Sequence, residues 1–103
     1  MAGRGVAIIG VSGIYPDAEN LHQFALNLMQ GLDSVREISA QRRAFAGLDE
    51  SAFCYPVGSL ENIDKFDHEF FGISLKEAEY MDPQQRLLLQ FACAAIENTG
   101  YSL

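Results

Sequence analysis

The longest apolar stretch lies near the end of the chain, where every residue from Leu87 to Ile96 except Gln90 is apolar. Asp82 can cap a helix with its carboxylate, and Pro83 suits the first helical position because its missing N–H costs nothing there. Gln85 stands where it can reach back and close a capping box. The pattern therefore predicts a helix starting at Pro83, with Gly100 after Asn98 and Thr99 supplying the left-handed stop. Arg86, Gln90 and Glu97 give that helix only a thin polar stripe, so it reads as one buried on most sides. A chain of 103 residues has few places where a helix can be surrounded, which predicts that this chain is part of something larger.

From the start of the chain, Val6 to Gly10 is an unbroken apolar run and reads as a strand covered on both faces. Gly10 to Pro16 follows as a loop. It lacks the third glycine of a dinucleotide-binding turn, Pro16 interrupts the helix such a turn needs, and Ile14 replaces the second glycine of an esterase elbow. Ser12 is read as a loop hydroxyl. Leu21, Phe24, Ala25 and Leu28 then mark one face of a helix over 21–30, with Asn20 and Gln23 as its cap pair and Gly31 as its stop. Its polar face holds His22, Gln23, Asn27 and Gln30, which makes His22 a surface residue. A strand followed by a helix points to the α/β class.

Ser34 to Ile38 alternates as a short edge strand does, Ala40 to Tyr55 has no period and reads as irregular, and Val57 to Leu60 predicts a brief strand. Ile63, Phe66, Phe70 and Phe71 make an apolar cluster among charges. Asp64, Asp67, His68 and Glu69 resemble an acid/base or metal group; the alternation of rings and acids instead reads as rings packed inward with carboxylates in water. Ser74 and Glu77 form a second capping box, starting a short helix through Met81.

Composition narrows the function classes. An apolar content of 49% with 20% charged residues is that of a globular protein. No apolar run approaches the roughly 18 to 20 residues that cross a bilayer, and the start is too short and too weakly basic for a signal peptide. The expectation is a cytoplasmic chain with no membrane partner. A net charge of −7, from seven basic and fourteen acidic residues, argues against a nucleic-acid surface. Arg36, Arg42 and Arg43 form the basic cluster and read as a solvated face, with docking of an acidic partner as the alternative. Cys54 and Cys93 have no ligand spacing around them, so no metal site and no disulfide is expected; Cys93 reads as a small buried hydrophobe.

Val6 to Pro16, the run Phe66-Asp67 with Phe70-Phe71-Gly72-Ile73-Ser74, Glu77-Ala78, and above all Met81-Asp82-Pro83-Gln84-Gln85-Arg86-Leu87-Leu88-Leu89 carry a resemblance. They are similar to the beginning of the β-ketoacyl synthase (ketosynthase) domain of modular polyketide synthases, from about Gly5 to the last residue. The resemblance implies the N-terminal portion of a thiolase-like, layered α/β/α/β/α fold, incomplete in this chain, with residues 1–103 free of any internal domain boundary. It implies a complete enzyme that dimerises and extends acyl chains by decarboxylative Claisen condensation. There, a Cys nucleophile takes the acyl group from the phosphopantetheine arm of an acyl carrier protein, and two His residues assist. In the family all three lie downstream of this stretch, and Cys54 and Cys93 match neither position of the nucleophile. No catalytic, cofactor-binding or metal-binding residue is therefore expected here, and Phe70, Phe71, Gly72, Asp82, Pro83, Gln84, Gln85 and Arg86 are expected to be structural.

The chain departs from the family in having no Trp. Family members usually carry it where this chain has Ala25, Ala44 or Phe45, and Cys93, which implies a repacked core. Three functions stay open at this point: part of an enzyme whose machinery lies elsewhere, a non-catalytic interaction or dimerisation module derived from a ketosynthase, and a small nucleotide-binding domain. The incomplete glycine motif speaks against the third.

Overall fold

The computed structural model describes residues 3–102. In chain order the elements are α1 (Leu21–Gln30), β1 (Val35–Arg36), α2 (Ala40–Phe45), β2 (Val57–Gly58), α3 (Leu75–Tyr80) and α4 (Pro83–Asn98). They fall into two units, one joining the chain before Ile14 to the chain from Asn62 onward, the other being Ile14–Glu61.

The Ile14–Glu61 unit is built around a turn. Tyr15 and Ala18 exchange backbone hydrogen bonds at 2.8 and 3.0 Å, and this closes a loop in which Ala18 is only 3% exposed. Asp17 sits inside the turn at φ 57°, a left-handed conformation that Asp tolerates better than most residues. Its carboxylate accepts both terminal nitrogens of Arg36 on β1, and its carbonyl accepts the side-chain N–H of Asn27 on α1 at 3.0 Å. One residue thereby ties the turn to a helix and a strand. Tyr15 stacks on Phe24 of α1 with ring centroids 4.2 Å apart.

α1 has the predicted bounds and ends. The Asn20 side chain accepts the N–H of Gln23, and Gly31 closes the helix at φ 69°. Gln23 returns a bond to the N–H of Glu19, one residue earlier than a capping box requires. Asn27, expected on the polar face, is half-buried through its bond to Asp17. The two short strands pair antiparallel, Val35 opposite Gly58 and Arg36 opposite Val57, within the two stretches read as strands. Pro16 lies over Gly58 so closely that a Cβ there would come within 2.9 Å of the proline ring.

The stretch from Ala40 was expected to be irregular, but Ala40–Phe45 is a helix. The Ser39 hydroxyl accepts the N–H of Arg42 at 3.2 Å, and a cap of this kind starts a helix without any hydrophobic period. Arg42 and Arg43 behind that cap are half-buried, and Arg36 before it stays exposed, but all three are engaged. Arg42 donates to the carbonyl of Leu60, Arg43 to that of Ala52, and Arg36 to Asp17, so each holds a loop in place.

In the other unit Val6 to Gly10 runs without a partner strand among the described residues, contrary to the expected covered strand. Val6 is 97% exposed and Ile8 84%. A strand is stabilised by neighbours along both edges and cover on both faces, and local sequence supplies neither. Contact begins only at Gly10, where the chain meets α4. Val11 donates its N–H to the side-chain oxygen of Asn98 at 3.0 Å, and the Ser12 hydroxyl donates to the carbonyl of Phe91.

α4 has its predicted start and stop, but it is not surrounded. None of its residues is fully buried, and Leu88 is 71% exposed. The apolar circumference read from the sequence is present; the cover for it is not within this unit. In this unit only Ala78 is buried among the described residues, at 6% exposure.

Two substitutions test these contacts. A Cβ on Gly10 would lie 2.3 Å from the Ala95 carbonyl oxygen and 2.5 Å from the Thr99 methyl. Gly10→Ala is expected to destabilise the protein by about 1–3 kcal/mol in urea unfolding, the usual cost of forcing atoms into a packed contact. Adding Thr99→Ser removes the methyl and not the carbonyl, so it is expected to restore only part of the loss. Full restoration by the double variant would show that the helix backbone is not the obstacle.

The second test concerns Asp17. The hydrogen bonds from Arg36 hold its carboxyl below the ordinary aspartate range, with Ser34 adding to the effect. A depressed native pKa adds stability above the unfolded pKa that is lost as the pH falls through the native one. Asp17→Asn is thus expected to lower stability at neutral pH, with the difference closing below the ordinary carboxylate range and in high salt. A difference independent of pH would assign the effect to the turn conformation.

Candidate functional site

The residues singled out from the sequence gather in the unit that holds α3 and α4. Phe66 and Phe71 stack with centroids 5.1 Å apart, and Phe70 meets Phe71 edge-on at 5.0 Å. Phe66 and Phe71 are half-buried, whereas Phe70 is exposed, so the rings do not all pack inward as expected. The turn that presents them is closed by side chains. Asp67 accepts the N–H of Phe70 at 3.0 Å. His68 and Ile73 are joined twice, through the Ile73 N–H to the His68 carbonyl at 2.9 Å and through the imidazole Nδ1 to the Ile73 carbonyl at 2.8 Å.

That second bond fixes the imidazole role, because a carbonyl accepts and Nδ1 must then carry the proton. His68 is half-buried and acts within the turn, not as a side chain in water. Gly72 takes φ 64°, a left-handed conformation that a side chain would strain, which accounts for glycine after the two phenylalanines. Asp64 and Glu69 point to solvent as exposed residues. Among the described residues no group of three or more His, Cys, Asp or Glu side chains is arranged to hold a metal ion.

Immediately after this turn the chain makes a corner. Ser74 caps α3 by accepting the N–H of Glu77 at 3.2 Å, and α3 ends at Tyr80, one residue earlier than read. Asp82 caps α4 by accepting the N–H of Gln84 at 2.8 Å, with Pro83 in the first helical position. The reciprocal bond expected from the Gln85 side chain is not made among the described residues; the Gln85 backbone N–H instead donates to the Asp82 carbonyl at 3.0 Å. Gln84 and Gln85 leave their side chains exposed.

Arg86 closes the corner. It donates through Nη2 to the carbonyl of Ile63 at 2.9 Å and through Nη1, at a long 3.4 Å, to that of Ala78 near the end of α3. The signal for this clamp was the motif itself, but nothing in spacing or charge pattern reveals which carbonyls an arginine will reach. Cys93 lies half-buried on α4 and Cys54 half-buried in the Ile14–Glu61 unit, both as free thiols. The glycine loop is also accounted for. Gly10 allows backbone to approach the α4 backbone, and the N–H of Val11 is taken by Asn98, so the loop is docked on a helix and not shaped as a phosphate cradle.

No helix is long and apolar enough among the described residues to cross a membrane. The sequence from residue 3 to residue 103 matches the family model described as beta-ketoacyl synthase, N-terminal domain. Polyketide synthase PksM of Bacillus subtilis (strain 168) is 44% identical over 109 residues, which cover 99% of this chain and 3% of that protein. Non-reducing polyketide synthase Preu3 of Preussia isomera is 43% identical over 98 residues, covering 93% of this chain and 4% of that protein. The structure resembles the ketosynthase from module 6 of the bacillaene synthase from Bacillus subtilis 168. The TM-score is 0.80 at 38% identity, over 93% of this chain and 17% of that one. Ketosynthase twelve of the bacillaene polyketide synthase in Bacillus amyloliquefaciens gives a TM-score of 0.70 at 42% identity, over 88% of this chain and 17% of that one. The chain therefore spans a few per cent of the synthases and about a sixth of the ketosynthases it matches. The corner built by Asp82, Pro83 and Arg86, the turn closed at Gly72, and these likenesses agree, and the chain belongs to the beta-ketoacyl synthase N-terminal domain family, with the thiolase-like fold of the corresponding part of a polyketide synthase ketosynthase.

Proposed function

We propose that this chain is the N-terminal part of a ketosynthase that condenses acyl thioesters with carrier-bound extender units by decarboxylative Claisen condensation. The observation that carries the reading is the agreement of fold and sequence over more than nine-tenths of the chain with a solved ketosynthase, at TM-score 0.80 and 38% identity. Residues 1–103 act in it as one stretch of a single domain. Their part is structural: Phe70, Phe71 and Gly72 shape the turn, and Asp82, Pro83 and Arg86 set the corner from which α4 runs. Gln84 and Gln85 complete the motif through their backbone N–H groups, which both donate to Asp82, with no side-chain hydrogen bond among the described residues. The complete enzyme is a cytoplasmic homodimer served by an acyl carrier protein.

The clustered arginines of this chain do not fit the phosphate of a carrier's phosphopantetheine arm. Arg36 is committed to Asp17, Arg42 to the Leu60 carbonyl and Arg43 to the Ala52 carbonyl. On this reading the arm is recognised by residues outside this stretch. Cys93 and Cys54 are not the acyl acceptor on this reading, and the nucleophile and its two histidines come from the remainder of the domain.

Two outcomes follow. An acyl carrier protein loaded with radiolabelled acyl group is expected to label the complete ketosynthase and to leave the 103-residue chain unlabelled at neutral pH. Stoichiometric labelling of the chain that disappears in Cys93→Ala would overturn the assignment. The exposed apolar residues generate the other expectation. Val6, Ile8 and Leu88 leave a bare apolar surface of the kind that drives association. The isolated chain is expected to scatter light above its monomer mass, and Leu88→Glu to lower that mass. A monodisperse monomer with a sharp thermal transition, indifferent to the substitution, would contradict it.

A further inference from the structure

Two sides of α4 are engaged within its own unit. The carbonyls of Phe91 and Ala95 meet the chain at Ser12 and Gly10, and Arg86 reaches the carbonyls of Ile63 and Ala78. Between Gln84 and Ile96 the exposed residues of the helix are Gln84, Gln85, Leu88, Ala92 and Ile96. Residues four apart lie one above the other on a helix, so Leu88, Ala92 and Ile96 form a single stripe with the two glutamines at its head. Leu88 is 71% exposed and Ile96 43%, whereas Gln90 is half-buried. A helix that ends its packing at water shows the opposite order, with its glutamine outside and its leucine within.

The make-up of the stripe says what fits it. It carries no charge, on a chain with a net charge of −7, so it offers no counter-charge to an acidic or a basic partner and matches an uncharged apolar surface. Ala92 stands between two larger side chains and leaves a notch into which a side chain of a covering element can enter. The Gln84 and Gln85 side chains make no hydrogen bond among the described residues, because Asp82 is met by their backbone N–H groups. Each amide is therefore free to donate and to accept at the edge of such a contact. The length of polypeptide outside this stretch supplies the occupant. The chain covers 17% of the ketosynthase from module 6 of the bacillaene synthase, so most of that domain is polypeptide to which this chain has no counterpart.

We propose that the stripe from Gln84 to Ile96 is an interface within the domain, taken by an uncharged apolar surface of the ketosynthase polypeptide outside residues 1–103. Ala92 marks the closest approach, and the Gln84 and Gln85 amides bond the polar rim of the contact. This rests on the reading of the chain as part of a larger ketosynthase.

The experiment uses the complete ketosynthase domain and compares wild type, Ala92→Leu and Leu88→Ala by urea unfolding. On a helix face open to water, leucine and alanine form helix almost equally well, and either exchange changes the folding equilibrium constant by about twofold or less. On a covered face the added bulk of Ala92→Leu is expected to lower that constant by about tenfold or more, and the gap left by Leu88→Ala by about thirtyfold or more. Changes within twofold for both variants overturn the proposal. Should Ala92→Leu fail to fold, Ala92→Cys decides through maleimide labelling at that residue, read by mass spectrometry in the folded and the urea-unfolded domain. Strong slowing in the folded domain supports the proposal, and equal rates overturn it. A disulfide joining two protomers at that position assigns the face to a second copy and also overturns it. A coding sequence without further ketosynthase polypeptide defeats the parent reading, an outcome distinct from a complete domain that tolerates both substitutions.

Discussion

The approach of an extended backbone to a helix at Gly10 is the constraint on which the unit containing α4 depends. A side chain there would overlap the Ala95 carbonyl, so only glycine lets Val11 and Ser12 reach Asn98 and Phe91. The contact holds one end of the Val6 to Gly10 run, and residues 3–9 before it are exposed. Burying an aliphatic side chain fully is worth about 1.5–3 kcal/mol. Val6, Ile8, Ile9 and Leu88, at 97%, 84%, 66% and 71% exposure, thus forgo roughly 5–10 kcal/mol between them, comparable with the whole net stability of an ordinary domain. Apolar surface of this extent is of the kind that marks an interface or an association hazard.

What was legible in the sequence was what is local. Asn20, Ser74, Asp82, Pro83, Gly31 and Gly100 each act within a turn or so of their own position, and α1 and α4 begin and end where those residues place them. The first of the paired strands was legible through alternation, and the second was read only as a brief strand. α2 escaped because its helix rests on Ser39 alone, a weak signal beside a stretch without hydrophobic period. The covered strand at Val6 was read correctly as apolar on both faces and wrongly as covered, since cover is a property of neighbours far away in sequence. α4 was read as apolar on most sides with more of them than this chain can cover, and the exposure of Leu88 and Ile96 agrees.

Charged side chains were the least legible, because their partners are backbone carbonyls that no residue pattern encodes. Arg36, Arg42 and Arg43 read as a solvated patch, yet each ends on a specific acceptor in its own unit. An arginine can do this while leaving much of its length at the surface, since its rigid fork loses little freedom per hydrogen bond formed. The missing tryptophans carry a related lesson. Ala25, Ala44 and Phe45 are exposed and Cys93 is only half-buried, so a small residue at these places leaves open surface and not a sealed void in this chain. The cost of a cavity, about 3–5 kcal/mol for an aromatic removed from a core, arises only where other atoms close over the position.

The run from Asp82 to Arg86 carries the resemblance read from the sequence most strongly, and its geometry gives each of its residues a structural demand to meet. Two helices meet with a single turn between them, which brings an exposed set of carbonyls at the end of α3 close to an exposed set of N–H groups at the start of α4. Asp82 answers one of those N–H groups, Pro83 removes another, and Arg86 answers a carbonyl of α3 while reaching the loop at Ile63. Each demand excludes most of the other residue types: a carboxylate for the cap, a ring without N–H for the first helical position, and a fork of donors long enough to span the corner. A corner that needs all three within five residues restricts its sequence as tightly as an active site does. Recognition of the family from this stretch therefore rests on the physics of joining two helices.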